Sequence, residues 1–444
     1  MTTTRTEDLG AFVAGLDLAT VPDDVVETTR LAVAHNLAVA AAGGRLAAVA
    51  LRWSESRWGG HGARTFLTGA ELAPPDAAFV NACLVHARAQ DDTYFPGFTH
   101  VGAATIPAVL ALAEATDRSL RDVLTAVVAG YEVAAAVGRV AALRTTAHGF
   151  RGSGIYGVFG AAAGAARLLG LDAEQCAHAL GIAASMAAGT NQTWVDGSSE
   201  WQLQLGAASR SGLEAARLAA CGATGSAAAL EGDSGFFAAF VRDLAPADGV
   251  GRELGTVWAT REVTFKAHPV CAILQEPVTA AASLVRTART ARAPFAGATL
   301  TLSPAEAHYP GTDGMPVFED AGAALMSARY CLATALTRGS VTVDDLFASG
   351  EPERVAGAQR VEVVADPRLG PREFVLEVTW TDGRTDRATG AGVLRAWARP
   401  DLEANLHRLQ GEVPEGIDLA VLAGRALGGL DLPAAELVDA VVAH

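Results

Sequence analysis

The chain has 444 residues, of which 50% are hydrophobic and 19% are charged, so it can bury a large core and lacks the composition of a disordered protein. Its formal net charge of −15 disfavours binding to the phosphate backbone of nucleic acids. We therefore expect a globular protein that has no nucleic-acid partner.

The five cysteines are widely spaced and include no CxxC pair, which disfavours a disulfide framework, a structural zinc site and an iron–sulfur cluster. No secretory signal is visible in Met1–Arg5. The longest nearly uncharged stretch, Cys176–Val195, is poor in Leu and Ile and favours a buried core helix over a membrane span. We expect a cytoplasmic protein that uses no metal and no cofactor.

Roughly the first 260 residues predict one helix after another. The first long helix is predicted to begin at Asp23, and Gly43 can end it. Asp172, followed by Gln175, predicts the capping box of another helix. Three more helical segments are predicted over Ser119–Leu143, Gly154–Leu169 and Gly206–Cys221.

The pattern changes near residue 260. Strands are predicted over Arg261–Lys266, Ala298–Leu302, Val361–Val364 and Phe374–Trp380. The sequence Thr381-Asp382-Gly383-Arg384 is typical of a hairpin turn, and a helical pattern returns near Val393. We predict a mainly α fold, with an all-helical domain over residues 1–260 and 393–444, an α+β domain over 261–392, and a cleft between them.

Two glycine motifs lack the context that their usual functions need. Gly152–Gly157 (GSGIYG) matches the GxGxxG dinucleotide pattern, but no strand is predicted before it. We interpret these glycines as close-packing positions at the start of a helix. Gly232–Gly235 (GDSG) resembles a serine-protease nucleophile loop, but it lies in a helical region instead of a β-barrel.

Residues 81–100 (NACLVHARAQDDTYFPGFTH) form the densest polar stretch, directly before an apolar helix predicted over Val101–Glu114. Carboxylates, a hydroxyl and an imidazole so close together can abstract a proton from carbon or protonate a leaving group. The alternative is a loop whose carboxylates cap the following helix and whose histidines are structural.

This stretch resembles the motif H-x-x-D-x-D-D-T of the MmgE/PrpD family, which is followed by a nearby histidine. The resemblance continues in order along the chain, through segments that carry helices, glycine stops and caps of the same kind. These segments are Gly157–Asp172, Gly206–Phe236, Val263–Cys271 and Ala321–Gly339. The resemblance implies a helical domain with a smaller α+β lid, and a homodimer. It also implies acid–base chemistry, without a metal, on a small carboxylate or carbonyl substrate.

The same resemblance implies roles for individual residues. His100 is our choice of catalytic base, and Asp92, Thr93 and Tyr309 are the further catalytic candidates. Asp91, Arg151, Trp201, Lys266 and His268 are the substrate-binding candidates. Lys266 and His268 would supply positive charge, or alternatively form a strand-end pair that contacts helix termini. Tyr309 would be a proton donor, or alternatively an amphipathic lid residue.

Three positions depart from the family pattern. Ala89 replaces the first aspartate of the motif, Arg151 replaces a histidine, and Trp201 replaces a lysine. A guanidinium can grip a carboxylate, but with a pKa above about 12 it cannot act as a base at neutral pH. We therefore expect a pocket rebuilt for a larger or less charged substrate, and poor turnover of 2-methylcitrate and cis-aconitate.

The function predicted from these features is a metal-independent lyase that removes a proton alpha to a carboxylate or carbonyl with loss of water. Its substrate would differ from 2-methylcitrate and could be a secondary-metabolite intermediate. The alternatives are a decarboxylase, an isomerase or cyclase on the same scaffold, and a catalytically inactive binding homologue.

Overall fold

The structure is a computed structural model that describes residues 3–56, 60–287, 293–314, 321–392 and 396–443. Helices dominate these residues, so the predicted mainly α fold is confirmed. Residues 393–395, where the helical pattern was predicted to return, lie outside the described residues. The next helix begins at Arg399.

The first half of the chain is a succession of helices, as predicted. They are α1 (Arg5–Gly15), α2 (Asp23–Ala41), α3 (Ala48–Glu55), α4 (Pro74–His86), α5 (Val101–Ala115), α6 (Leu120–Ala147), α7 (Gly152–Leu169), α8 (Ala173–Ser185), α9 (Gln192–Asp196) and α10 (Glu200–Ala220). Between them lie three short strands and turns, of which β1 (Ala63–Arg64) pairs with β2 (Glu71–Leu72), and β3 (Thr93–Tyr94) pairs with a strand from farther along the chain.

The second half mixes strands with shorter helices. Its strands are β4 (Val263–Thr264), β5 (Phe295–Leu302), β6 (Val361–Ala365), β7 (Glu373–Trp380) and β8 (Thr385–Ala391). Its helices are α11 (Gln275–Thr287), α12 (Pro304–Ala307), α13 (Ala321–Met326), α14 (Ala328–Arg338), α15 (Val343–Phe347), α16 (Pro352–Ala358), α17 (Arg399–Leu409), α18 (Leu419–Ala426) and α19 (Ala434–Asp439).

Strands β5 to β8 form a mixed sheet in the order β6-β5-β7-β8. Strand β5 runs parallel to β6 and antiparallel to β7, with Leu300 opposite both Val363 and Leu376. The predicted hairpin turn joins β7 to its antiparallel neighbour β8. The alternation of apolar side chains along β7 buries one face of the sheet, which is why these strands could be predicted from the sequence.

Helix ends follow the predicted chemistry. Asp172 accepts the backbone N–H of Gln175, whose side chain reaches back, so the predicted capping box of α8 is confirmed. Gly170 ends α7 in a left-handed conformation. Ser119 caps α6 through the same reciprocal arrangement with Asp122.

Small residues allow the helices to approach closely. A Cβ on Gly212 of α10 would lie 2.5 Å from the Val158 carbonyl of α7, and one on Gly130 of α6 would lie 2.5 Å from the Gly160 carbonyl. Gly152 and Gly154 open α7 against neighbouring backbone. The interpretation of the GxGxxG match as close packing is therefore confirmed, since no strand or phosphate-binding turn precedes it.

Two predicted elements were wrong in extent. Residues Arg261–Lys266 contain only the short strand β4, because a 3₁₀ turn over Ala259–Glu262 takes the first part of the segment. Cys176–Val195 is not one core helix, since α8 ends at Ser185 and α9 is a separate turn. Tertiary contacts override the local pattern in both places.

Buried apolar side chains form two clusters. One lies among the helices of residues 9–265 and 402–442, and the other among residues 270–380 together with Ala89, Trp194 and Trp201. The helical residues and the residues around the mixed sheet therefore each have an apolar core of their own. The domain bounds and the homodimer stay predictions.

Helix α6 is long and apolar enough to cross a membrane by composition. However, 78% of its most apolar window is buried inside the protein, as in the core helix of a soluble protein. All five cysteines are free thiols. The cytoplasmic location stays a prediction.

The start of α5 is closely packed against Asp92. The Gly102 N–H donates to Asp92 Oδ1 at 2.9 Å, and the Tyr131 hydroxyl donates to Asp92 Oδ2. A Cβ on Gly102 would overlap the Tyr131 hydroxyl and lie 2.5 Å from Asp92 Oδ1.

We therefore predict that Gly102→Ala lowers the free energy of unfolding by about 1–3 kcal/mol, because overpacking forces these buried groups apart. Gly424→Ala is the matched control, since a Cβ on this exposed glycine of α18 would have no neighbouring atom within 4 Å. There the change should be neutral or slightly stabilising, because alanine favours helix. Urea unfolding of both variants gives the comparison, and equal effects would contradict the packing argument.

Candidate active site

The polar segment 86–100 runs from the end of α4 to the start of α5 and is fixed at both ends by helices. In the middle, Thr93 of β3 pairs with Thr264 of β4. This pairing attaches the start of the second half of the chain to the polar segment. It thereby places Lys266, two residues after β4, beside Ala89, Asp91 and His100, which precede it by more than 160 residues in the chain.

Asp91 is the centre of a buried polar group. Its Oδ2 lies 2.9 Å from His86 Nδ1 and 3.2 Å from His100 Nδ1, and its Oδ1 lies 3.2 Å from Lys266 Nζ. Burial by itself would raise the pKa of the Asp91 carboxyl, but His100, Lys266 and His86 hold that pKa well below its usual range. Asp91 is therefore a carboxylate at neutral pH.

Lys266 is 2% exposed, and its ammonium nitrogen lies beside the Asp91 carboxylate and the His100 ring. Nζ donates to the Ala89 carbonyl at 2.6 Å and to Asp91, and it lies 3.1 Å from His100 Nδ1. Burial lowers the pKa of Lys266, and the Asp91 carboxylate opposes this. Lys266 thus holds Asp91 and His100 in place and does not face the cavity described below.

Of this group, His86 and His100 line the cavity, and His100 is the one with a ring nitrogen left to face it. Its Nδ1 faces Asp91 and Lys266, which leaves Nε2 for the cavity, and Ser153 accepts its backbone N–H at 3.0 Å. Burial lowers the pKa of His100 to about 4, so the ring is neutral at pH 7. When the proton of the neutral ring is on Nδ1 and points towards Asp91, Nε2 is free to accept a proton. When Lys266 instead donates a hydrogen bond to Nδ1, the ring proton is on Nε2, which can then donate it.

His86 is held differently. Arg151 Nη2 lies 2.5 Å from His86 Nε2, and because a guanidinium only donates, Nε2 is the acceptor and Nδ1 carries the proton towards Asp91. Burial lowers the pKa of His86 to about 3. Both ring nitrogens are engaged within the protein, so His86 orients Asp91 and Arg151 and has no nitrogen left for a substrate.

The three positions that depart from the family pattern lie around His86 and its partners. Arg151 bonds its Nε2, and Trp201 packs edge-on against its ring with centroids 4.9 Å apart. Ala89 has a left-handed backbone with φ 49° and offers its carbonyl to Lys266. The changed residues therefore alter one wall of the site together.

Arg151 has no carboxylate partner among the described residues. Its guanidinium donates to the Trp201 carbonyl and lies over the Trp194 ring, 4.9 Å from the centroid. Burial lowers the pKa of Arg151 to about 10, below the value above 12 that we expected. It remains a cation at neutral pH, so the expectation that it cannot act as a base there is unchanged.

A cavity of about 620 Å³ adjoins the polar group. Of the predicted site residues, Thr93, His100, Arg151 and Tyr309 line it. Thr93 Oγ1 lies 3.4 Å from His100 Nδ1. Burial raises the pKa of Tyr309 to about 12, so its hydroxyl stays protonated and can donate. Much of the remaining wall is apolar, with contributions from Phe95, Phe98, Leu143, Trp194 and Ile273.

Other predicted site residues do not line the cavity. Asp92 caps α5 and bonds Tyr131, and burial raises its pKa to about 7, so the helix-capping alternative describes it. His268 packs on α11, where Nε2 lies 3.0 Å from Thr279 Oγ1, because the chain turns away after Lys266. Trp201 is buried behind His86. Asp91 and Lys266 lie against His100 Nδ1.

Sequence reasoning missed several cavity residues. His86 opens the quoted motif and Cys271 ends the quoted segment Val263–Cys271, so both could have been found, whereas Trp194 and Arg372 carry no local signal. These two come from segments whose position is decided by packing between distant elements.

One group of described residues has the types and spacing of metal ligands, although the sequence predicted no metal site. His86, Asp91 and His100 place one ligand atom each within 4.8 Å of one another. In the same place, however, Lys266 Nζ lies 3.2 Å from Asp91, and Arg151 occupies His86 Nε2. Two cations at the would-be ligands oppose binding of a third. Metal independence stays a prediction.

Comparison with known proteins identifies the scaffold. The sequence model of the MmgE/PrpD N-terminal domain matches residues 7–247, more than half of the chain. The chain belongs to the MmgE/PrpD family. Helices α2 to α10 and the polar segment lie within the matched residues.

Relatives within the MmgE/PrpD family include three cis-aconitate decarboxylases. That of Homo sapiens is 36% identical over 188 residues, 39% of this chain and 37% of that protein. The enzyme of Mus musculus is 34% identical over 208 residues, which are 45% of this chain and 41% of that protein. The enzyme of Aspergillus terreus is 27% identical over 306 residues, which are 63% of this chain and 60% of that protein. The chain thus covers 60% or less of each relative's length.

We predict that Asp91 and Lys266 are energetically coupled. Asp91→Asn and Lys266→Met should each cost about 3–5 kcal/mol of unfolding free energy, because each leaves a buried charge without its partner. The double variant should cost clearly less than the two added together. Chemical unfolding of the four proteins measures this, and additive effects would contradict the coupling.

Proposed function

We propose that this MmgE/PrpD protein is a lyase that transfers a proton at a carbon next to a carboxylate, with loss of carbon dioxide as the favoured reaction. The observation that carries the proposal is the buried Asp91–His100–Lys266 group, from which only His100 reaches the cavity. The names of the decarboxylase relatives support the same reaction class.

The chemical step follows from the groups present. As the bond between carbon and a carboxylate breaks, carbon dioxide leaves and the electron pair remains on the substrate carbon framework. A proton delivered from His100 Nε2 to carbon completes the product. As Nε2 gives up its proton, Lys266 donates one to Nδ1, so the ring stays neutral while Asp91 holds it in place. Solvent then returns a proton to Lys266. The apolar wall favours this step, because burial of a carboxylate near apolar groups favours loss of its charge.

Arg151 is the residue proposed to bind a carboxylate of the substrate. It is buried, it lies on the cavity wall, and among the described residues none of its partners is an acid. A guanidinium in this state is suited to bind a carboxylate through two parallel hydrogen bonds. Since it stays protonated at neutral pH, its role is to bind and orient the substrate.

Loss of water is the second candidate, and Tyr309 favours it. Dehydration needs a base to remove a proton from carbon and an acid to protonate the departing hydroxyl group. His100 can be the base and Tyr309, protonated up to about pH 12, can be the acid. An isomerase or cyclase would use the same two groups without loss of a fragment.

The substrate is proposed to be a carboxylic acid other than 2-methylcitrate or cis-aconitate. We predict that both compounds are turned over at least about 10²-fold more slowly than the true substrate, because the wall around His86 has lost acid–base groups of the family pattern. Incubation with a panel of carboxylic acids in D₂O, followed by mass spectrometry, detects carbon dioxide loss and deuterium in the product. Efficient turnover of cis-aconitate would contradict this prediction.

We predict that His100→Ala and Arg151→Ala separate kinetically. His100→Ala should lower kcat by about 10²–10⁴-fold, because the proton transfer is lost. Arg151→Ala should mainly raise KM, because a guanidinium binds a carboxylate without exchanging protons.

The matched control for this pair is His268→Ala, since His268 is a histidine that the sequence also placed in the site but that lies outside the cavity lining. Its kcat and KM should stay within about twofold of the wild-type values. If His100→Ala remained active, the proton transfer would have to be assigned to Tyr309. If His268→Ala showed a large loss of activity, the reacting centre would have to lie elsewhere.

A further inference from the structure

Among the described residues, four arginines line the cavity, and they differ in their ion pairs. Arg139 and Arg261 each form a salt bridge with a carboxylate. No carboxylate of the described part of the chain lies within 4.0 Å of the guanidinium of Arg151 or of Arg372. A partly buried cation without an acidic partner is costly, and an anionic ligand would offset that cost.

Arg372 comes from the lid, in the turn before β7. Its guanidinium lies over the Phe95 ring, 5.1 Å from the centroid, and Phe95 stands in the polar segment between Thr93 and His100. Its Nη1 is buried and makes no hydrogen bond to any described residue. The side chain therefore extends from the lid to the Phe95 ring, while its Nη1 donor has no hydrogen-bond acceptor among the described residues.

The backbone at Arg372 is held in an unfavourable conformation. Its φ of 64° is left-handed, which is uncommon for a residue with a long side chain. Glu306 accepts the Arg372 N–H at 2.8 Å, and its other oxygen accepts from Ser303 at 2.6 Å. Strain kept in place by neighbouring residues is characteristic of functional positions.

The two unpaired arginines occupy different positions in the cavity. The pKa of Arg151 is influenced by burial and then by Tyr309 and Asp91. That of Arg372 is lowered by burial, and Glu276 and Glu306 oppose this. The Arg151 guanidinium lies over the Trp194 ring and the Arg372 guanidinium lies over the Phe95 ring, so each is available to a separate anionic group.

Building on the proposed lyase function, we propose that Arg372 is a second anion-binding residue and that the substrate is an extended dicarboxylate. One carboxylate binds Arg151 near His100, and the other binds Arg372 on the lid. An apolar segment between them lies against the walls formed by Phe95, Phe98 and Ile273. The volume of about 620 Å³ suits such a molecule, since cavities for drug-sized ligands measure about 300–1,000 Å³.

Calorimetric binding of succinate, suberate and octanoate to the full chain tests this proposal. Suberate should bind more tightly than succinate, because the proposed site requires an acid long enough to extend from Arg151 to Arg372. It should also bind about 10-fold or more tightly than octanoate, which has a similar length and a single carboxylate. Equal or tighter binding of succinate, or no binding of suberate at millimolar concentration, would overturn the proposal.

Variants at position 372 assign the second site. Arg372→Asn removes the charge and tolerates the left-handed backbone, so the affinity for suberate should fall to that for octanoate while octanoate binding stays unchanged. Arg372→Gln gives the same comparison if the Asn variant is unstable, and Arg372→Lys should retain part of the advantage of suberate. The matched control is Arg368→Asn, since Arg368 is exposed and pairs with Asp366 outside the cavity.

These outcomes separate the two proposals. If suberate keeps its full advantage in Arg372→Asn, or loses it equally in Arg368→Asn, the assignment of Arg372 is wrong while the lyase proposal stands. If the binding pattern holds but no extended dicarboxylate is turned over, the proposed reaction is wrong while the second anion site stands.

Discussion

The buried negative charge of Asp91 is the interaction on which the site depends. A carboxylate removed from water is unstable unless donors surround it, and here His86, His100 and Lys266 do so. These donors come from the end of α4, the start of α5 and the segment that follows β4. The helical body, the polar segment and the beginning of the second half of the chain must therefore be correctly packed before the charge is accommodated.

The two histidines around this charge have different duties because their outer nitrogens meet different groups. His86 meets Arg151, which can only donate, so its second nitrogen is occupied. His100 meets the cavity, so its second nitrogen is available to a substrate. In place of the histidine and the lysine of the MmgE/PrpD pattern, Arg151 and Trp201 put a cation and indole rings around His86.

Most of the fold could be predicted because its signals are local. Capping residues, glycine stops and apolar spacing gave the helices, and alternation with a hairpin turn gave β7 and β8. The strand predicted over Arg261–Lys266 was too long, since only the two residues of β4, which pair with β3, form a strand there. In the site, the motif and the resemblance together predicted Thr93, His100, Arg151 and Tyr309, which all line the cavity.

By itself, the sequence determined which residue types are present, which helices they form and which segment carries the polar groups. Only the tertiary structure decided where each polar group points. Asp91 and Asp92 are neighbours with the same chemistry, yet one faces Lys266 and the histidines and the other caps α5. The reason is that the role of a carboxylate depends on the charges and donors packed around it, and for Asp91 the decisive cation lies 175 residues away along the chain.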